Sequence, residues 1–208
     1  PDHPFVSLSL NNLAGIYLDL GRYREAEDYY KRALFINEKT QGPEHPSFAT
    51  GLRNLAYLYS TQSRYSEAEP IYKRSLDIRE KVLGPEHPDV GIVLNDLANL
   101  YRAQGRLEDV ERLYKRALAI HEKAQGQRHP RVAIGLNNLG NLFHDQGRYE
   151  EAKSFHKRAL QIREETLGRE HPDVADSLVN LALLHIAEGQ DAEAERLFKQ
   201  SLSINEKV

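Results

Sequence analysis

Residues 11–39 read NNLAGIYLDLGRYREAEDYYKRALFINEK, and the same phrase returns four more times at intervals of 42 residues. The later copies are RNLAYLYSTQSRYSEAEPIYKRSLDIREK (53–81), NDLANLYRAQGRLEDVERLYKRALAIHEK (95–123), NNLGNLFHDQGRYEEAKSFHKRALQIREE (137–165) and VNLALLHIAEGQDAEAERLFKQSLSINEK (179–207). A His-Pro dipeptide precedes each copy at the same step. No insertion or deletion interrupts the register, so the chain consists of five tandem copies of one structural unit.

Each unit carries two apolar stripes with helical spacing. The first stripe recurs at i, i+3, i+4 and i+7 from Leu10 to Tyr17, and the second runs from Tyr23 to Ile36. Gly21 separates them, because glycine tolerates the positive φ at which helices commonly end. A single helix pair cannot bury both stripes, so neighbouring pairs must stack on one another.

This pattern predicts an all-α fold of ten helices. First helices are expected near residues 5–20, 47–62, 89–104, 131–146 and 173–188. Second helices are expected near residues 23–41, 65–83, 107–125, 149–167 and 191–207.

The amino-acid composition argues against some classes of function for this chain. The 28 Lys and Arg residues nearly balance the 31 Asp and Glu residues, which gives no electrostatic argument for nucleic acid as a partner. Cysteine is absent, and no apolar run is long enough for membrane insertion. The first residues, PDHPFVSLSL, contain neither a starting Met nor a signal pattern, and we expect a fragment of a longer protein.

Histidine is the residue type that invites a metal or catalytic hypothesis. Five of the nine histidines belong to the His-Pro dipeptides, where a helix-entry role accounts for them. The other four, His121, His144, His156 and His185, lack the spacing of metal ligands. No phosphate-binding loop or nucleophile motif is present. We therefore expect no enzymatic activity, no cofactor, no metal and no small-molecule substrate.

The repeated residues resemble a known family. Leu13-Ala14, Tyr17, Gly21, Ala26, Tyr30 and Ala33 are similar to the signature of the tetratricopeptide repeat (TPR), a stacked helix pair. The loop at 83–88, LGPEHP, and the 42-residue length resemble the repeats of kinesin light chains and of many bacterial arrays.

The resemblance implies a right-handed α-solenoid, or superhelix, of five helix–turn–helix units. It also implies one domain over residues 1–208 and a cytoplasmic location. The repeats would cover about 1–42, 43–84, 85–126, 127–168 and 169–208.

In such arrays the first helices line a concave groove that binds protein or extended peptide segments. Carried over to this sequence, the candidate groove residues are Asn12, Arg53, Asn54, Tyr57, Asn95, Asp96, Asn99, Arg102, Asn137, Asn138, Asn141, His144 and Asn180.

Asparagine recurs at one register of the first helices, at Asn12, Asn54, Asn138 and Asn180, although its amide is unfavourable inside a helix. Each amide both donates and accepts, which suits the backbone of an extended peptide. Asp96 interrupts this asparagine ladder, whereas Arg53 and Arg102 could bind an acidic group of the ligand.

The leading hypothesis is a peptide-binding scaffold whose ligand contacts Asn54 and Asn138, from the second to the fourth repeat. Alternatively, the amides satisfy groups within the array, or the Lys-Arg pairs of the second helices form the docking face. The runner-up to a binding function is an architectural spacer or regulatory array that couples other domains of a larger protein, such as a bacterial multidomain protein.

Overall fold

The computed structural model describes residues 3–207, with Pro4 as backbone only, and within that range it contains ten α-helices and no strand. The first helices are α1 Pro4–Asp19, α3 Pro46–Thr61, α5 Pro88–Ala103, α7 Pro130–Asp145 and α9 Pro172–Ala187. The second helices are α2 Tyr23–Gln41, α4 Tyr65–Leu83, α6 Val110–Gln125, α8 Tyr149–Leu167 and α10 Asp191–Asn205. The all-α class and the five helix pairs are thereby confirmed.

The predicted helix bounds agree with the structure to within one residue except at two helices. Helix α6 begins at Val110 instead of residue 107, because residues 107–109 form turns. The backbone N–H of Leu107 donates to Gly105 O at 3.1 Å, and that of Val110 donates to Leu107 O at 3.3 Å. Helix α10 ends at Asn205, two residues short of the predicted 207.

The chain divides into two compact units, residues 1–113 and 114–208. In the first unit, α1 packs on α2, α2 on α3, α3 on α4 and α4 on α5. In the second unit, α7 packs on α8, α8 on α9 and α9 on α10. First helices of successive repeats are also in contact: α1 contacts α3, and α7 contacts α9. Each unit is a stack of helix pairs, and a single domain over 1–208 stays a prediction.

Histidine begins each of the five first helices. The residue before the proline is extended, with φ −78° and ψ 142° at His45, as the residue preceding a proline should be. Its Nδ1 atom then accepts a hydrogen bond from Ser47 N at 3.1 Å. The corresponding bonds are Phe5 N to His3 (3.3 Å), Asp89 N to His87 (3.2 Å), Arg131 N to His129 (3.2 Å) and Asp173 N to His171 (3.1 Å). The imidazole is thus the helix cap, in the place usually taken by Ser, Thr, Asp or Asn.

A glutamate on the second helix links the first repeat to the second. Glu27 accepts a hydrogen bond from the Tyr59 hydroxyl at 2.9 Å and from Arg64 Nη1 at 2.8 Å. The Arg64 guanidinium lies 3.9 Å from the centre of the Tyr59 ring, and Lys31 Nζ lies 2.6 Å from Glu27. Burial would raise the pKa of Glu27, but the bonds from Lys31, Arg64 and Tyr59 outweigh it and lower the pKa to about 2.

The same arrangement joins the second repeat to the third. Glu69 accepts from the Tyr101 hydroxyl at 3.0 Å and from Arg106 Nη1 at 2.6 Å, with Lys73 at 2.8 Å. The pKa of Glu69 is lowered to about 2, chiefly by the Arg106 hydrogen bond. The glutamate is therefore a fixed negative charge that the next repeat neutralises.

The junction between the fourth and fifth repeats has the opposite polarity. Lys153 stands at the register of Glu27, and its Nζ lies 2.7 Å from Glu188 Oε2. His185 replaces the tyrosine, and Gln190 replaces the arginine. Here the cation belongs to the fourth repeat and the carboxylate to the fifth, so the two repeats still meet through opposite charges.

Candidate functional site

The thirteen candidate groove residues differ in exposure. Asn12, Tyr57 and Asn99 are exposed; Arg53, Asn54, Asp96, Arg102, Asn137, Asn138, Asn141, His144 and Asn180 are half-buried; Asn95 is buried. Asn95 thus differs from the expectation of a groove residue, since it is only 8% exposed. Its neighbour Asp96 is turned about 100° around the helix axis, so the two side chains face different surroundings.

Three amides of the asparagine ladder are open to a ligand. Asn12, Asn54 and Asn138 have no side-chain hydrogen bond to any residue in the described range 3–207. Each lies on a first helix and is exposed or half-buried. A part-exposed amide without an internal partner can donate and accept at the same place.

The fourth amide of the ladder is engaged within the array. Asn180 Nδ2 donates to Asn137 Oδ1 at 2.8 Å, from the first helix of one repeat to that of the repeat before it. For this pair, the structure favours the alternative that the amides satisfy one another.

The corresponding link in the first unit is an ion pair. Arg53 Nε donates to Asp96 Oδ2 at 2.5 Å, with the same separation of 43 residues as between Asn137 and Asn180. Burial would lower the pKa of Arg53, but the Asp96 carboxylate outweighs it and raises the pKa. Asp96 therefore does not merely interrupt the ladder, because it holds the Arg53 side chain in position.

A cavity of about 210 Å³ lies beside this ion pair, between the second and third repeats. Its walls combine the tyrosines Tyr57, Tyr65 and Tyr72 with the polar side chains of Asp96 and Asn99. Burial raises the pKa of Tyr72, and the Asp96 carboxylate raises it further, so its phenol stays protonated. Tyr57, Asp96 and Asn99, three of the residues predicted from the sequence, are brought together here.

A second position, near the end of the second helices, also links neighbouring repeats. Asn37 Nδ2 donates to the backbone carbonyl of Ser47 at 3.2 Å, which is ten residues farther along. Arg79 and Arg163 stand at the same register. Arg79 Nη1 donates to Asp89 O at 3.2 Å, and Arg163 Nη1 to Asp173 O at 2.9 Å.

Sequence reasoning missed this second position because its residue type changes along the chain. The three side chains share only a donor of suitable reach, which a search for one repeated residue does not detect. The signal available in the sequence was the constant distance of ten residues between each of these side chains and its acceptor at the start of the next helix.

Another cavity, with a volume of about 480 Å³, lies on α9 and α10. Its apolar walls include Ile186, Phe198 and Leu202, and Leu202 is 58% exposed. Leu34, at the register of Leu202, packs against Gly51 of α3 and is buried. This surface therefore corresponds to the face on which repeats stack.

Among residues 3–207, no three His, Asp or Glu side chains are arranged to hold a metal ion. In the same range, no helix is long and apolar enough to cross a bilayer.

Comparisons with known proteins agree with the repeat pattern. A family model described as tetratricopeptide repeat matches residues 5–81, 47–123 and 131–207. A second model with the same description matches residues 95–165. No curated protein matches the chain.

Three solved structures of similar fold are 28–29% identical in sequence to this chain. BtubC (BKLC) from P. vanneervenii superposes with a TM-score of 0.82 at 28% identity, covering 95% of this chain and 79% of that one. A putative kinesin light chain of Podosopora anserina, with nearly identical TPR-like repeats, gives a TM-score of 0.77 at 29% identity. A variant of that protein gives 0.79, again at 29% identity. Both of these cover 99% of this chain and 97% of theirs.

Proposed function

The chain belongs to the tetratricopeptide repeat family, in its kinesin light chain-like form, and we propose that it is a scaffold that binds an extended peptide along its first helices. TPR folds are in general protein-interaction scaffolds. The finer proposal is that the peptide binds to the face formed by the first helices. It rests on the asparagines of the ladder whose side-chain amides have no hydrogen bond within the described residues.

The observation that carries the proposal is the set of open amides at Asn12, Asn54 and Asn138. Asparagine inside a helix is unfavourable, because its side chain competes for backbone hydrogen bonds. At Asn137 and Asn180 a mutual hydrogen bond offsets this disadvantage. At the three open positions no described residue does so, and a peptide backbone would supply both the missing donor and the missing acceptor.

Arg53 adds selectivity to this surface. Its Nε is held by Asp96, whereas its two terminal amino groups make no hydrogen bond to the described residues. A guanidinium fixed at one edge presents its remaining donors with little loss of side-chain freedom. A carboxylate of the ligand near Arg53 would therefore add to the binding free energy, more strongly at low salt.

The test compares two asparagines on different faces. A peptide found in an unbiased library screen is titrated by calorimetry into the parent protein, Asn54→Ala and Asn205→Ala. Asn205 is an exposed asparagine on the second helix α10. We expect Asn54→Ala to weaken binding by about 1–3 kcal/mol, the range for leaving a polar partner unpaired, and Asn205→Ala to leave it unchanged.

The expected preference of the protein for an acidic ligand is tested by changing the ligand. Replacing the ligand's acidic residue by its amide should lower affinity in the parent protein and reduce the dependence on salt. Equal affinity of the parent and Asn54→Ala for the peptide would contradict the proposal, and would leave the second-helix face or a spacer role.

A further inference from the structure

The first repeat carries the donor half of a repeat junction. At the two junctions that Glu27 and Glu69 form, a tyrosine and an arginine of the later repeat donate to the glutamate of the earlier one. Tyr17 and Arg22 stand at the same two positions in the first repeat. The Arg22 guanidinium lies 4.4 Å from the centre of the Tyr17 ring, and the corresponding distances in the second and third repeats are 3.9 and 4.0 Å. The donor half is therefore already assembled.

The two donors of this half have no acceptor within the described chain. Arg22 uses its Nε and Nη2 atoms for Glu25. The equivalent Arg64 likewise binds its own helix through Nε and Nη2, and uses Nη1 to reach the glutamate across the junction. Among residues 3–207, nothing accepts a hydrogen bond from Arg22 Nη1 or from the Tyr17 hydroxyl. A phenol and a guanidinium are thus available for a carboxylate.

The fifth repeat carries the acceptor half. Glu195 stands at the register of Glu27 and Glu69, and Lys199 Nζ lies 2.6 Å from its carboxylate, as the equivalent lysines do at 2.6 and 2.8 Å. The Glu195 side chain is 67% exposed, whereas the two glutamates at the internal junctions are 18% exposed. The hydrogen bond from Lys199 lowers the pKa of Glu195, so the carboxylate is charged at neutral pH. The fifth repeat therefore presents the negative charge that the donor half lacks.

The apolar surface beside the donor half is of the kind that is buried between repeats. Ile16 is 55% exposed, although the four leucines at its register are almost completely buried: Leu58, Leu100, Leu142 and Leu184. Ser9 is exposed as well, and it stands at the register of Gly51, against which Leu34 of the preceding repeat packs. We call the surface of the following residues the donor face: Ser9, Ile16, Tyr17 and Arg22.

The fifth repeat has the matching apolar surface. Phe198 and Leu202 line the cavity of about 480 Å³ on α9 and α10. Because Leu202 is the counterpart of Leu34, its place in a further junction would be against a small residue at the register of Gly51, which Ser9 provides. We call the surface of the following residues the acceptor face: Glu195, Phe198, Lys199 and Leu202.

We propose that copies of this chain associate head to tail, with the acceptor face of one copy packed on the donor face of the next. Glu195 of one copy would accept hydrogen bonds from the Tyr17 hydroxyl and from Arg22 Nη1 of a second copy, as the glutamates of the internal junctions do from the next repeat. Opposite charges on two different faces favour this contact over one between like faces. Because the contact is heterologous, a third copy can add to the second in the same way.

This inference does not depend on the proposed function. Neither face contains a residue of the asparagine ladder, and no peptide takes part in the contact. Failure of the Asn54 test would therefore leave the head-to-tail contact standing, and the reverse is also true.

The experiment measures the average mass of the 208-residue chain by sedimentation equilibrium. Concentrations extend to about 1 mM, at which even a contact with a millimolar dissociation constant is populated. Arg22→Glu and Glu195→Arg each place like charges at the contact. The matched control is Arg24→Glu, which makes the same change of charge on α2 at a register that is exposed in all five repeats. Circular dichroism verifies that each variant is folded.

We expect the mass of the parent and of Arg24→Glu to rise with concentration beyond that of a dimer. Arg22→Glu and Glu195→Arg, each alone, should associate at least about tenfold more weakly. An equimolar mixture of these two variants should recover the association, because every face then meets a face of opposite charge on the other variant. The exchanged pair in this mixture would have the polarity that Lys153 and Glu188 have at the last internal junction.

Three results would overturn the inference. The first is a parent that stays monomeric at the highest concentration. The second is association that stops at a dimer and is unchanged in Arg22→Glu, since such a dimer would use like faces. The third is a mixture that associates no more strongly than its components, since the two charges would then not meet.

If a charge variant does not fold, Ile16→Gln and Leu202→Gln take its place, because both side chains are more than half exposed within one copy. Each should weaken the association at least about tenfold, and unchanged association in both would again overturn the inference.

Discussion

The glutamate at the junction of the second and third repeats should be a main source of acid sensitivity. Replacing Glu69 by Gln keeps the shape of the side chain and an acceptor for the Tyr101 hydroxyl, but removes the charge that faces Arg106 and Lys73. The variant therefore isolates the contribution of the charge.

The magnitude follows from the pKa of Glu69. A lowering from 4.5 to about 2 corresponds to about 3.4 kcal/mol of stabilisation when the carboxylate is ionised. The side chains of Lys73 and Arg106 are about half exposed, so solvent screening reduces this figure. We expect Glu69→Gln to lower the free energy of unfolding by about 1–2 kcal/mol at pH 7.

The effect has a defined pH dependence. Because the folded-state pKa is depressed, the contribution is fully present above pH 4.5 and is lost as the pH falls toward 2. Urea unfolding followed by circular dichroism at pH 7 and pH 3 should show the gap between the parent and Glu69→Gln shrinking to less than half.

Glu67→Gln is the matched control in the same helix. Glu67 pairs with Arg64 at the surface, so its loss should have a much smaller effect. The reasoning is refuted if Glu69→Gln is no less stable than Glu67→Gln at pH 7, or if its gap to the parent is the same at both pH values.

Two further predictions concern the fourth repeat. Burial, with smaller contributions from His144 and Arg163, lowers the pKa of His156 from 6.5 to about 4, so the parent should lose about 2 kcal/mol between pH 7 and pH 5. His156→Phe should not show that part of the loss in urea unfolding, and an identical pH profile would contradict the assignment. A Cβ added at Gly140 would lie 2.6 Å from the buried His156 ring, so Gly140→Ala should destabilise the protein by about 1–3 kcal/mol. Gly15→Ala is the control, since its Cβ would meet only Tyr30 Oη at 3.8 Å, and equal thermal midpoints for the two variants would rule out the steric explanation.

The sequence was most informative about the helices. The 42-residue period and the apolar spacing predicted nearly every helix bound, because a repeated stripe must be buried in the same way each time. Helix α6 was the main exception, since three turn residues precede its first helical hydrogen bond.

The candidate site was less predictable, because it depends on pairs of side chains from different repeats. Asp96 was interpreted as a break in the ladder, whereas it binds Arg53 from the repeat before it. Asn95 was placed in the groove although it is buried beside Asp96. Neither outcome is determined within one repeat; both depend on how the first helix of one repeat is rotated against that of the next.

The reversed polarity at the junction of Lys153 and Glu188 means that the fifth repeat cannot be exchanged freely with the second or the third. If the fifth repeat were transplanted behind the first, Glu188 would join Glu27 at one junction, and no arginine would neutralise the two carboxylates, because Gln190 stands at the register of Arg64. Slipped docking during folding would meet the same repulsion. The charges at this junction therefore fix the position of the fifth repeat next to the fourth, although the two repeats share one fold with the others.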